Sequence, residues 1–127
     1  MNHDSRTIIG VDVGSGSVRA GIFDLNGTLL AHATRPITLW REAGHIVEQS
    51  SREIWQAVCQ CIKESVARSG VAPASVAGIG FDATCSLVVL DGEGKPLPVG
   101  PSDDPDRNII VWMDHRATEQ AERINQT

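Results

Sequence analysis

The chain lacks paired cysteines: Cys59, Cys61 and Cys85 are the three among its 127 residues. An odd count without paired spacing excludes a disulfide framework. No Cys-x-x-Cys or His-Glu-x-x-His pattern is present, so a zinc site is not expected. Basic residues are also in deficit. Lys and Arg total 11 against 16 Asp and Glu, a net charge of -5, with the two signs interspersed. That balance argues against a nucleic-acid partner, which calls for a basic face. No apolar run approaches the roughly 20 residues needed to span a bilayer, and no membrane partner is expected. The polar start, Met1 to Arg6, lacks the apolar core of a signal peptide. A cytosolic location is the expectation.

What is present suits one globular domain. A chain of this length buries roughly two thirds of its unfolded surface, and its hydrophobic share of 41% is ordinary. Thr7–Val13 reads as a buried, β-branched strand. Gly14 to Ser17 is a turn, and Val18–Asp24 is a second strand. Asn26-Gly27 signals a hairpin in which both residues tolerate positive φ, leading to a third strand over residues 28–38. Residues 41–44 read as a loop. Ser50 and Glu53 have capping-box spacing. A helix follows, with Ile54, Val58, Ile62 and Val66 on one face, flanked by Trp55 and Cys59 as core. Gly70 is placed to end it in a left-handed cap.

Residues 76–81 form a fourth strand that can return parallel to the first. Residues 85–90 and 108–113 read as further strands, separated by the Asp91–Gly94 turn and a proline-rich stretch. Residues 115–126 look helical. No stop signal follows them, so the chain is expected to be a piece of a longer protein. The order β-β-β-α-β differs from the β-α-β opening of a dinucleotide-binding domain.

The first chemical signal is Asp12-Val13-Gly14-Ser15-Gly16-Ser17-Val18-Arg19. Glycines let backbone approach a phosphate, and successive N–H groups in such a turn make an anion nest. Ser15 and Ser17 add hydroxyls, and Arg19 offers charge-assisted hydrogen bonds. Asp12, at a strand end, is placed to hold Mg²⁺ directly or through water. On composition alone, a plain hairpin turn fits equally well. A strand rather than a helix follows the loop, which excludes a Walker-type phosphate loop.

The second signal is residues 78–91, a strand ending in the polar cluster Asp82-Ala83-Thr84-Cys85-Ser86. Asp82, Thr84 and Ser86 can hydrogen-bond sugar hydroxyls; on the residues alone, a turn in which Asp82 and Thr84 cap the backbone is the favoured reading. The third is Trp112-Met113-Asp114-His115-Arg116. Asp114 and His115 can bind hydroxyls, or Asp114 can cap the final helix, with Arg116 structural. Asp103-Asp104-Pro105-Asp106 reads as a solvated loop, and Cys85 as a small buried residue.

The Asp-x-Gly-Ser-x-Ser-x-Arg spacing of Asp12, Gly14, Ser15, Ser17 and Arg19 resembles the FGGY carbohydrate kinase family. So does the Gly44-His45-Ile46-Val47-Glu48-Gln49 approach to the helix, and the resemblance covers essentially the whole chain. It implies an α/β, ribonuclease-H-like fold of the actin-like ATPase group, with three antiparallel strands and then α-β units. Residues 1–127 would be the first part of the sugar-binding N-terminal domain.

The resemblance implies ATP and Mg²⁺ as cofactors, with Asp12, Gly14, Ser15, Gly16, Ser17 and Arg19 at the nucleotide and Asp12 at the metal. It implies Asp82, Ala83, Thr84, Asp114 and His115 at the sugar. The family's general base lies beyond residue 127, so no catalytic residue is expected here and the piece alone is expected to be inactive. The Asp-Ala-Thr-Cys-Ser form resembles the D-ribulokinase-like subgroup, which favours D-ribulose; L-ribulose, xylulose and glycerol stand as alternatives. Homodimerisation of the full-length enzyme is left open. A non-enzymatic, actin-like nucleotide switch would share the phosphate loop without needing a hydroxyl-reading cluster. A folded module without any ligand is the third option.

Overall fold

The computed structural model describes residues 5–127. In chain order the elements are β1 (Thr7–Val13), β2 (Ser17–Asp24), β3 (Leu29–Pro36), β4 (Trp40–Glu42), β5 (Ile46–Gln49), α1 (Ser51–Ser69), β6 (Val76–Ala83), β7 (Leu87–Val88), β8 (Ile109–Ile110) and α2 (Thr118–Asn125). They divide into two units. One holds the chain up to Ile37 with Glu53–Thr84; the other holds Thr38–Arg52 with Cys85–Thr127.

The first unit is a four-stranded sheet in the order β3-β2-β1-β6, with α1 on one face. β1, β2 and β3 form an antiparallel meander, and β6 returns parallel to β1. Alternation along the strands builds the core, because successive side chains point to opposite faces. Ile9 and Val11 of β1, and Val18, Ala20 and Ile22 of β2, are buried against Ala57, Val58 and Cys61 of α1. The Ser65 hydroxyl is buried with them and donates to the carbonyls of Ala20 and Cys61, at 3.0 and 2.7 Å. A buried hydroxyl is tolerated only when it is bonded in this way.

The helix is rotated from the expected stripe. Ile54, Ile62 and Val66 are only partly buried, while Trp55 is 62% exposed and not core. The small residues Ala57 and Cys61 are what let α1 lie close to the sheet. Gly70 has φ +71° and ends the helix as expected. At the β2–β3 turn only Gly27 is left-handed, at φ +84°. Asn26 is held instead by its N–H on Asp24 Oδ1, which also accepts from the Thr28 N–H. The paired positive-φ turn expected from Asn26-Gly27 therefore does not form.

The second unit holds a sheet of short strands in the order β4-β5-β8-β7. Residues 41–44, expected as a loop, instead complete a β4–β5 hairpin that turns on Gly44 (φ +80°) and His45 (φ +67°). The expected strands 85–90 and 108–113 shrink to Leu87–Val88 and Ile109–Ile110. Side chains take over where the ladder stops. Asn108 Oδ1 accepts the Ser51 N–H, and its amide donates to Ser51 Oγ and the Val89 carbonyl. At the other end the Trp112 N–H donates to Ser86 Oγ at 3.2 Å. Cys85, expected to be buried, is exposed. The expected helix 115–126 runs only over Thr118–Asn125, because residues 111–116 form a turn closed by the Asp114 N–H on the Val111 carbonyl.

Candidate functional site

In the first unit the sequence places a charged row across three strand ends. Asp12 of β1 pairs in register with Arg19 of β2 on one side and Asp82 of β6 on the other. Antiparallel pairing brings Arg19 back beside Asp12, and the parallel return of β6 brings Asp82 there from 70 residues away. Arg19 Nη2 donates to Asp12 Oδ2. The two side chains are 57% and 45% exposed, and ion pairs that open contribute little to stability. Their pairing at the strand ends therefore adds little as a brace.

The β1–β2 turn lies next to this row. The Gly14 N–H donates to the Ser17 carbonyl at 2.9 Å, and the Ile37 N–H to the Gly16 carbonyl at 3.1 Å. The Gly14 amide thus closes the turn, and a Cβ there would meet the Ser17 carbonyl at 3.4 Å, about van der Waals contact. Below the charged row, Gly80, Gly10 and Gly21 stand in register across β6, β1 and β2. This side-chain-free floor belongs to an open trough of about 630 Å³, with Asp12, Arg19 and Asp82 at one end and Ile8, Phe23 and Phe81 among its apolar walls.

Asp12 and Asp82 are hard oxygen donors, and serine hydroxyls lie in the adjoining turn. Among the described residues no three acidic, His or Cys side chains gather to cage a metal. That donor set fits a magnesium ion, which takes one or two carboxylates and draws its other ligands from phosphate and water.

The second unit holds the other expected residues. His115 is exposed, and its N–H donates to the His45 carbonyl at 3.2 Å. Asp114 is different, with its side chain only 3% exposed. Its Oδ2 accepts the Val47 N–H at 2.7 Å, and its Oδ1 accepts the Arg116 N–H at 3.0 Å, with the Arg116 guanidinium alongside. Burial alone would raise the Asp114 pKa, but the hydrogen bonds from Arg116 and Val47 outweigh it and hold the carboxyl below its usual value. Arg116 is in turn held above the usual guanidinium value, first by Asp114.

Sequence reasoning did not find the group behind Asp114. Glu48 is fully buried, yet it faces two guanidinium groups: Arg107 Nε at 2.7 Å from Oε2 and Arg116 Nη1 at 3.0 Å from Oε1. Arg107 reaches on to Glu42 at 2.5 Å and stacks over Trp40, 5.6 Å from its centroid. Hydrogen bonding to Glu42 is the chief reason the Arg107 pKa is raised. No local pattern signals its burial, because Glu48 stands between Val47 and Gln49 in a four-residue strand too short for alternation to be read.

Residues 7–127 match the FGGY family of carbohydrate kinases, N-terminal domain. An FGGY carbohydrate kinase domain-containing protein of Homo sapiens is 51% identical over 122 residues, covering 96% of this chain and 22% of that protein. A D-ribulokinase of Saccharomyces cerevisiae is 48% identical over 124 residues, covering 96% and 17%. The chain thus spans about a fifth of the length of the curated relatives it matches. A crystal structure of a xylulose kinase from Rhodospirillum rubrum superposes with a TM-score of 0.80 over 95% of this chain and 23% of that one. Its sequence identity is 23%, a likeness of fold. On the match of residues 7–127, the chain belongs to the FGGY family of carbohydrate kinases, in its N-terminal domain.

Proposed function

We propose that the full-length protein of which this chain is part transfers the γ-phosphoryl group of ATP to a sugar hydroxyl, with a pentulose such as D-ribulose as acceptor. The observation that carries this reading is the row Asp82–Asp12–Arg19 beside the Gly14–Ser17 turn. Phosphoryl transfer depends mainly on positioning and charge neutralisation, and the row supplies acidic and basic groups at one place.

Asp12, with Asp82 beside it, would hold a magnesium ion, whose charge offsets that of the phosphates. The Arg19 guanidinium rests on Asp12 and can turn to a phosphate oxygen. Ser15, Gly16 and Ser17 offer hydroxyl and backbone donors, and Gly14 shapes the turn. In the first unit, Asp82 and Ala83 close β6 and Thr84 follows, offering side-chain and backbone polar groups to a sugar. In the second unit, taken by itself, exposed His115 is a candidate hydroxyl contact and exposed Trp112 an apolar face. Asp114 is assigned to hold the turn, since its carboxylate is buried and engaged. No residue of this chain is assigned as the general base.

D-ribulose is favoured by the Asp82-to-Ser86 sequence and by the 48% identity to a D-ribulokinase. A cytoplasmic enzyme fits this reading; no helix among the described residues is long and apolar enough to cross a membrane. The test is ADP release by the full-length protein with Mg-ATP and D-ribulose, L-ribulose, D-xylulose, ribitol or glycerol. Turnover selective for D-ribulose is expected. Selectivity for another member would keep the kinase and discard the sugar assignment. Silence across the panel would favour a nucleotide switch.

A further inference from the structure

Five charged side chains of the second unit form a chain of alternating sign: Glu42, Arg107, Glu48, Arg116 and Asp114. Its middle member is fully buried and its last nearly so. Burying charges costs desolvation, and well-packed apolar residues stabilise a protein as well or better. What such a network supplies is orientation, because a guanidinium fork fixes the geometry of the carboxylates it meets.

The backbone makes room for it. A Cβ at Gly100 would collide with Glu48 Oε1. Position 100 is thus kept bare against this one carboxylate, and Arg116 Nη1 also donates to the neighbouring Val99 carbonyl at 3.1 Å. The far end of the chain is the Asp114 carboxylate, which grips the Val47 N–H and stands in the turn between Trp112 and His115.

We propose that Glu48 is a positioning residue: through Arg116 it sets the Asp114 carboxylate, and through Asp114 it fixes the turn that presents Trp112 and His115 to the sugar. This inference rests on the sugar-kinase reading above. A site held by loops needs such support, since a displacement of about 1 Å can cost on the order of a hundredfold in rate.

The test uses the full-length enzyme carrying Glu48→Gln, which keeps the shape and removes the charge, and separately Gly100→Ala, which displaces the same carboxylate without altering any charge. Both are expected to raise the KM for the sugar by about tenfold, with the KM for ATP within about twofold of wild type. Arg116→Lys, which keeps the charge but loses the fork, should shift the sugar KM in the same direction by less.

A second readout needs no sugar. Amide hydrogen exchange at Val47, whose N–H sits on Asp114 Oδ2, and at His115 should accelerate in Glu48→Gln. A folded variant with wild-type sugar KM would overturn the proposal. So would a uniform loss of kcat with both KM values intact, or unchanged exchange at Val47. If wild-type enzyme phosphorylates no sugar, the functional reading fails, while exchange at Val47 still decides whether Glu48 sets Asp114. Should Glu48→Gln not fold, Gly100→Ala and Arg116→Lys carry the same decision.

Discussion

The two units solve the same problem with different materials. The first buries aliphatic side chains of a regular sheet against one long helix, and its Asp12–Arg19 pair stands exposed at the strand ends. The second has strands of two to four residues, a core with few aliphatics, and charges inside. Apolar burial is non-directional, so the first unit is specified by pattern. Ionic burial is directional and requires each partner in place, so the second is specified by individual contacts. A unit of the first kind suits the proposed phosphate-binding turn, carried on a regular sheet. A unit of the second kind suits fine placement of a short turn.

On that contrast, the largest loss of stability comes from stripping a partner from a buried carboxylate. Arg107→Ala removes the nearer of the two guanidinium partners of Glu48, at 2.7 Å, and should cost about 4 kcal/mol by chemical denaturation, with Arg107→Met no better, since neither side chain restores the lost hydrogen bond. Ile22→Ala removes a fully buried side chain from the first unit and should cost about 3 kcal/mol in the same assay. A result in which Arg107→Ala is harmless and Ile22→Ala is severe would erase the distinction.

A smaller effect is expected at acid pH. The folded pKa of Asp114 lies below its unfolded value. Its contribution is therefore fully present above the ordinary carboxylate value of about 4 and is lost as pH falls through the lower folded value. Asp114→Asn should be less stable at neutral pH and should show a shallower acid decline than wild type. The smallest effect belongs to Trp55→Ala. The indole is 62% exposed, and its removal should move stability by less than about 0.5 kcal/mol. A loss of several times that would restore Trp55 to the core expected from its helical position.

The same contrast explains what could be read in advance. β1, β2, β3, α1 and β6 follow from β-branched runs, helical spacing and the Gly70 stop, since each is seven residues or longer. The parallel return of β6 was legible from the intervening helix, but the register that sets Asp82 beside Asp12 was not, since the ladder shifts between Thr7 and Ile8. The β4–β5 hairpin was hidden. Its turn uses His45 in a left-handed conformation, which composition does not announce, and its strands are too short to show a period.

Residues 108–113 look like a strand because Ile109, Ile110 and Val111 are β-branched, but Asn108 and Trp112 turn their hydrogen bonds elsewhere. Asp114 reads as a hydroxyl binder or as the cap of the final helix. Its engagement by the Val47 N–H, and that of Glu48 by Arg107, join residues far apart in sequence, which no local pattern records.

The central claim is that the Asp12 end of the sheet serves the phosphates. Steady-state kinetics of Asp12→Ala in the full-length enzyme test it most directly, with Mg-ATP and the sugar that wild type prefers. The account predicts a fall in kcat on the order of 10²–10³-fold, the scale of losing one pre-placed electrostatic contact, with the sugar KM within about threefold of wild type. Unchanged kcat, or a loss confined to the sugar KM, would contradict it.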